Sequence, residues 1–114
     1  MKIINKTKGV VLADAAVLAD TLFLRMKGLL DKKYIKKGQA LIIKPCDSVH
    51  TFFMRFAIDV IFVDRQQKVD LAISSLKPWR LSRLCWRAKF AIELPCGAIR
   101  DSHTEKGDEI SISD

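Results

Sequence analysis

Apolar and polar positions alternate along much of this 114-residue chain with the two-residue period of half-buried strands. Residues 2–5 and 9–12 are short apolar runs around Lys6-Thr7-Lys8-Gly9, the pattern of a hairpin or of two adjacent strands. The period then changes. Leu18, Leu22, Met26 and Leu29 or Leu30 recur at three- and four-residue steps, Asp20-Thr21 offers a cap and Gly28 a stop, which predicts a helix over about 20–27. Residues 31–38 are polar and basic and read as a loop, and Ala40–Ile43 is a short strand stopped by Pro45. Residues 59–63 are apolar and β-branched, and 64–67 form a turn. Val69, Leu71 and Ile73 then alternate with Asp70, Ala72 and Ser74, completing a hairpin. Residues 77–88 read as an irregular loop, and Phe90, Ile92 and Leu94 alternate up to Pro95 and Gly97. One helical turn at 98–103 and a last strand at 109–112 follow. Six or seven strands and one clear helix, with no repeated strand–helix rhythm, predict an α+β fold in a single domain spanning 1–114. Its expected form is a strand-dominated small mixed sheet or a distorted β-barrel.

Polar residues that this pattern places on apolar surfaces mark the candidate chemistry. Arg25 lies on the helix stripe of Leu22, Met26 and Leu29, where its head must reach water or a carboxylate. Glu93, one of three glutamates, lies inside the strand Phe90–Leu94 and faces away from Phe90, Ile92 and Leu94. The segment 45–60, PCDSVHTFFMRFAIDV, is denser. If residues 49–55 are extended, His50, Phe52 and Met54 share one face and Val49, Thr51, Phe53 and Arg55 the other. Both faces are then largely buried, His50 sits among aromatic and thioether groups that disfavour its cation, and Arg55 can pair with Asp59 across a bend. Two readings of these residues compete. In one, Arg25, Arg55, Asp59 and Glu93 form internal ion pairs; in the other, Phe52, Phe53 and Met54 line a pocket where His50 and an arginine orient a small polar or anionic ligand.

Composition changes this picture little. Apolar residues make up 49% and charged residues 29%, an ordinary globular mix that argues against disorder. The formal charge of +7 concentrates in two blocks. Residues 25–37 hold Arg25, Lys27, Lys32, Lys33, Lys36 and Lys37 against Asp31, and residues 77–89 hold Lys77, Arg80, Arg83, Arg87 and Lys89 with no acid. Interleaved with Tyr34, Trp79 and Trp86, they read first as solvated loops and second as weak binders of nucleic acid or an anionic surface. No helix-turn-helix, RNP-like strand or zinc-finger spacing accompanies them. Cys46, Cys85 and Cys96 are an odd set without a C-x-x-C pair. With no apolar leader in MKIINKTKGVV and no membrane-length apolar run, a cytoplasmic protein with reduced thiols is expected. Cys46 and His50 supply a single close ligand pair where a structural zinc site shows two, so neither metal nor cofactor is expected.

The pieces Arg25-Met26-Lys27-Gly28-Leu29-Leu30, PCDSVHTFFMRFAIDVIFVD, AIELPCG and KGDEI resemble, in order and spacing, the domain-of-unknown-function family 192. The resemblance covers about Val17 to Ile110 and implies a compact α+β fold dominated by strands. The family's hallmark positions fall on Arg25, Gly28, His50, Phe53, Met54, Asp59, Phe62, Glu93, Leu94, Gly97, Gly107 and Asp108. Ala57 stands where relatives usually have proline, and many relatives begin with an export signal or lipid anchor. The resemblance brings no activity with it.

The function expected on these grounds is a non-enzymatic binding or accessory module recognising a small polar ligand or peptide-like partner. Its ligand-binding set is Arg25, His50, Phe53, Met54, Arg55, Asp59 and Glu93. Two alternatives stand beside it. One is a hydrolase-type enzyme with His50 as general base and Cys46 or Cys96 as nucleophile, without a nucleophile-elbow sequence to support it. The other is weak nucleic-acid or anionic-surface binding through the basic loops 25–37 and 77–89.

Overall fold

A computed structural model describes residues 1–19, 35–51 and 56–114. These residues form eight strands and one short helix. β1 (Lys2–Asn5), β2 (Val10–Ala13) and β8 (Ile110–Ser113) make an antiparallel sheet in the order β2-β1-β8. β3 (Ala15–Ala19), β4 (Gln39–Ile43), β5 (Ile58–Asp64), β6 (Val69–Leu76) and β7 (Ala88–Pro95) make a second sheet in the order β3-β4-β7-β5-β6. Within it β3 and β4 run parallel and the other neighbours antiparallel. The α+β, strand-dominated expectation holds, as a mixed sheet beside a smaller one; the two sheets do not close into a barrel. The helix predicted at 20–27 falls outside the described residues.

The strands at the centre of the large sheet explain the unbroken apolar runs. β5 and β7 are buried along nearly their whole length on both faces, so neither needs a polar side. One face, carrying Ile42, Ile61, Val63, Ile92 and Leu94, packs on Ile3, Leu12 and Ile110 of the small sheet and on Ile99 of α1 (Ala98–Ser102). The other face, carrying Leu41, Ile43, Ile58, Val60, Phe62 and Ala91, packs on Ile35, Cys46, Val49, Phe56 and Cys85. The irregular segments 44–51 and 77–87 therefore cover this second face as the small sheet and α1 cover the first.

A buried polar knot ties the two ends of the chain. Asn5, at the end of β1 and fully buried, donates from Nδ2 to Thr104 Oγ1 and to Asp108 Oδ2, both at 2.9 Å. Its Oδ1 accepts the Lys8 backbone N–H at 3.0 Å. Asp108 also accepts the Glu105 N–H at 3.1 Å and meets the Lys8 ammonium at 3.2 Å. Burial by itself raises the Asp108 pKa, but the Asn5 amide, the Glu105 N–H and Lys8 outweigh it and hold the carboxyl below its ordinary value. Gly107, at φ 95°, supplies the left-handed turn that swings Asp108 inward.

One stretch the pattern left unassigned is a strand, and one expectation is corrected. Residues 15–19, whose Leu18 fits the helical stripe, form an edge strand paired in parallel with β4. His50 is exposed rather than enclosed by apolar groups. Its neighbours Val49 and Thr51 point inward, Val49 into the second core and Thr51 onto the backbone of the 77–80 segment.

Candidate functional site

Of the candidate residues, His50, Asp59 and Glu93 lie among those described; Arg25, Phe53, Met54 and Arg55 do not. The register of the large sheet separates the two acids. Glu93 stands opposite Val60 and Leu41, on the face of the second core. Asp59 stands opposite Leu94, on the face of the first. Paired residues across a sheet point the same way, so Asp59 and Glu93 project to opposite sides and do not share one site.

Asp59 is fully buried and its carboxylate accepts three backbone N–H groups. Oδ1 takes that of Ser75 at 2.9 Å, and Oδ2 takes those of Gly97 at 3.1 Å and Ile99 at 2.9 Å. The local chain explains each donor. Ile58 pairs with Leu76 and Val60 with Ile73, so Asp59 alone faces Ser74 and Ser75 at a bulge, and Ser75 adopts φ 55°. Gly97, at φ 100°, precedes α1 and turns its N–H and that of Ile99 toward β5, where the carboxylate caps the helix. Asp59 thus fastens the β6 bulge and the β7–α1 turn to β5. The Arg55–Asp59 pairing expected from the sequence has one member outside the described residues, and the observed partners of Asp59 are backbone donors.

Glu93 is different in kind. It sits at the middle of the central strand with 5% of its surface exposed. Its cross-strand neighbours are the apolar side chains of Leu41 and Val60. Among the described residues no hydrogen bond or ion pair reaches its carboxyl. Burial alone pushes its pKa up to about 7, so near neutral pH the group exchanges a proton in an apolar setting.

The cysteines occupy three environments. The Cys46 thiol is buried and donates to the Ser48 carbonyl at 2.9 Å. The Cys85 thiol is buried and meets Asp70 Oδ2 at 2.8 Å; burial and the Asp70 carboxylate push its pKa up to about 12, away from a nucleophile's range. Cys96 is exposed, with its sulfur 2.8 Å from the Ser75 hydroxyl. Among the described residues no three His, Cys, Asp or Glu gather in a way that would hold a metal ion. Among them also, no helix is long and apolar enough to cross a membrane. The sequence reading missed the Asn5–Thr104–Asp108 knot. The signal for it was an asparagine closing the apolar run Ile3-Ile4-Asn5.

Comparison with known proteins fixes the family. The family model DUF192, described as Uncharacterized ACR, matches residues 3–112. The chain belongs to the DUF192 family. A relative named UPF0127 protein from Thermococcus sibiricus (strain DSM 12597 / MM 739) is 38% identical over 113 residues, covering 95% of this chain and 72% of the relative. Two crystal structures share the DUF192 fold seen here. A protein of unknown function from Novosphingobium aromaticivorans DSM 12444 superposes with a TM-score of 0.85 at 18% identity, over 97% of this chain and 84% of that one. A protein from Sinorhizobium meliloti 1021, named provisionally as a transcription regulator, gives 0.78 at 15% identity, over 96% and 89%. Several of the residues singled out in the sequence take distinct physical roles. Asp59 and Gly97 form one backbone clamp, Gly107 and Asp108 serve the terminal knot, and Glu93 is the acid to which the described residues give no partner.

Proposed function

We propose that this DUF192 domain is a binding module, not an enzyme, whose ligand anchor is Glu93 on the second face of the large sheet. The observation that carries the reading is that Glu93, 5% exposed and set opposite Leu41 and Val60, has no partner among the described residues. Ionising such a group without a partner is costly, and a ligand that brings a donor or a cation relieves the cost. The chemistry favoured is therefore a small polar ligand, or a peptide-like partner, that presents an amine, guanidinium or amide N–H. His50, Phe53 and Met54 belong to this proposal on sequence grounds, as residues that orient or enclose the ligand, and Arg25 and Arg55 as residues that take a carbonyl or anionic part of it. Asp59 acts behind the sheet, holding strand positions rather than touching the ligand. The hydrolase-type alternative rests on Cys46 or Cys96 beside His50; the Cys46 thiol is buried and donates to the Ser48 carbonyl, and Cys96 is exposed against the Ser75 hydroxyl. At 15% identity the S. meliloti neighbour supports a shared fold and lends no regulatory role.

The test is a ligand-observed NMR screen of amine, guanidine and amide fragments against wild type, Glu93→Gln and His50→Ala, with folding checked by circular dichroism. Hits are expected to bind wild type and weaken at least about ten-fold in Glu93→Gln, the scale of one charge-assisted hydrogen bond. Calorimetry in buffers of different ionisation heat, near pH 7, should show proton release on binding a cationic hit. Hits that bind wild type and the well-folded Glu93→Gln alike would sink the reading.

A further inference from the structure

The second face is covered in part by the segment 77–87, and that segment carries a surface with a different use. Four large apolar side chains on it are exposed: Trp79 by 56%, Leu81 by 66%, Leu84 by 64% and Trp86 by 74%. They are not left outside by a slack loop. Thr51 exchanges backbone bonds with this segment: the Thr51 N–H donates to Arg80 O at 2.8 Å and the Trp79 N–H to Thr51 O at 2.9 Å. The Ser82 N–H donates to Val49 O at 2.8 Å, the Val49 N–H to Ser82 Oγ at 2.9 Å, and the Cys85 N–H to Asp47 O at 2.7 Å. Ser82 and Cys85 are the buried pegs of the segment, and the residues between and beyond them are thereby held outward. A segment held by these five hydrogen bonds at residues 79, 80, 82 and 85 cannot fold its leucines back onto the core.

Charge accompanies these apolar groups. Residues 77–89 contain Lys77, Arg80, Arg83, Arg87 and Lys89 and no acid. Arg83, Leu84, Trp86 and Arg87 line a cleft of about 280 Å³ with Lys106 and Asp70. The Asp70 carboxylate is already engaged by the Cys85 thiol at 2.8 Å, and Arg83, Arg87 and Lys106 line the same cleft. The Arg87 guanidinium lies 5.1 Å from the centre of the Trp86 ring, so the ring and the charge are presented together.

We propose that the 77–87 segment docks this domain on an anionic phospholipid surface, with Leu84 and Trp86 entering the interface and the Arg83–Arg87–Lys106 cleft receiving a lipid phosphate. Exposed tryptophans are suited to the headgroup level and arginines to phosphate geometry. Leu84 decides between classes of polyanion. A single-stranded nucleic acid would use the rings and the cations but gains nothing from Leu84, whereas an acyl-chain boundary takes up Leu84 together with Trp86, its neighbour in the cleft. This proposal makes no use of Glu93, so either proposal can fail without the other.

The chain supplies its own reporter, since its two tryptophans both lie on this segment. Intrinsic fluorescence is measured with vesicles of phosphatidylcholine alone, with vesicles also containing phosphatidylserine, and with a single-stranded oligonucleotide. The expected result is a blue shift and quenching by brominated lipid on the anionic vesicles, reversed by salt. Arg83→Gln and Arg87→Gln, both solvent-exposed changes, should each weaken partitioning about five-fold. Leu84→Ser should weaken it further while leaving the oligonucleotide titration unchanged. The proposal is overturned by absence of a shift on anionic vesicles, by equal binding to neutral ones, or by an oligonucleotide response without vesicle binding.

Discussion

The raised pKa of Glu93 gives a stability signature whose sign and size follow from its burial. Below about pH 4.5, its ordinary value, the carboxyl is protonated in both the folded and the unfolded chain and burial carries no charge penalty. Between there and about pH 7 the unfolded chain releases the proton and the folded protein retains it, so stability falls as pH rises. Above the folded value both forms are ionised and the loss is complete. The gap between 4.5 and about 7 corresponds to about 3 kcal/mol. Glu93→Gln carries a neutral amide at every pH and lacks this term. Urea unfolding of wild type and Glu93→Gln from pH 4.5 to 8 should therefore show the variant gaining on wild type as pH rises. The relative gain reaches about 3 kcal/mol, or about 10 °C in melting temperature for a domain of this size. Comparing the two proteins cancels the other titrating groups, and a constant cost of burying the amide shifts the curve without bending it. A difference that does not change with pH would falsify the account, because it would mean that a cation already balances Glu93 in the folded protein.

Three further outcomes follow from the described geometry. Asp59→Ala leaves the N–H groups of Ser75, Gly97 and Ile99 without their acceptor, and should cost about 3 kcal/mol or more in urea unfolding, with amide exchange at Gly97 and Ile99 accelerating before that of β5. Asp108 has its pKa lowered in the fold, so its contribution is present above its ordinary value of 3.8 and lost as pH falls through the folded value. Wild type should lose stability on acidification over that range more steeply than Asp108→Asn, as thermal melts across the acid range would show. Iodoacetamide labelling read by mass spectrometry near neutral pH should modify Cys96 and spare Cys46 and Cys85, the buried pair. Labelling of Cys85 at the rate of Cys96 would contradict its placement.

Much of the sheet was legible because a strand's period is rigid. The alternation in residues 90–94 fixed which way Glu93 faces, and the β5–β6 hairpin followed from the turn at 64–67. What escaped depended on partners distant in sequence. Ala15–Ala19 is rich in helix-compatible residues, and its strand identity comes from parallel pairing with β4. The exposure of His50 comes from the ladder between 47–51 and the 77–85 segment, which turns Val49 and Thr51 inward. The role of Asp59 was hidden for a plainer reason: its partners are backbone N–H groups, which any residue but proline supplies and which leave no trace in side-chain pattern.

The separation of Asp59 from Glu93 narrows what can be functional in this fold. Three buried carboxyls, Asp59, Glu93 and Asp108, are costly unless each is compensated. Asp59 is compensated in full by three N–H groups, and Asp108 by an amide, an N–H and an ammonium. The same chain therefore satisfies buried acids with local backbone and neighbouring side chains where structure requires them. Glu93 receives none of this from the described residues, although β4 and β5 flank it directly. A glutamate kept for packing alone would be served as well by glutamine or leucine at that position, each without the ionisation cost that opens near pH 7. If the variant is the more stable protein above neutrality and the poorer binder, the buried charge is retained for what it holds and not for the fold.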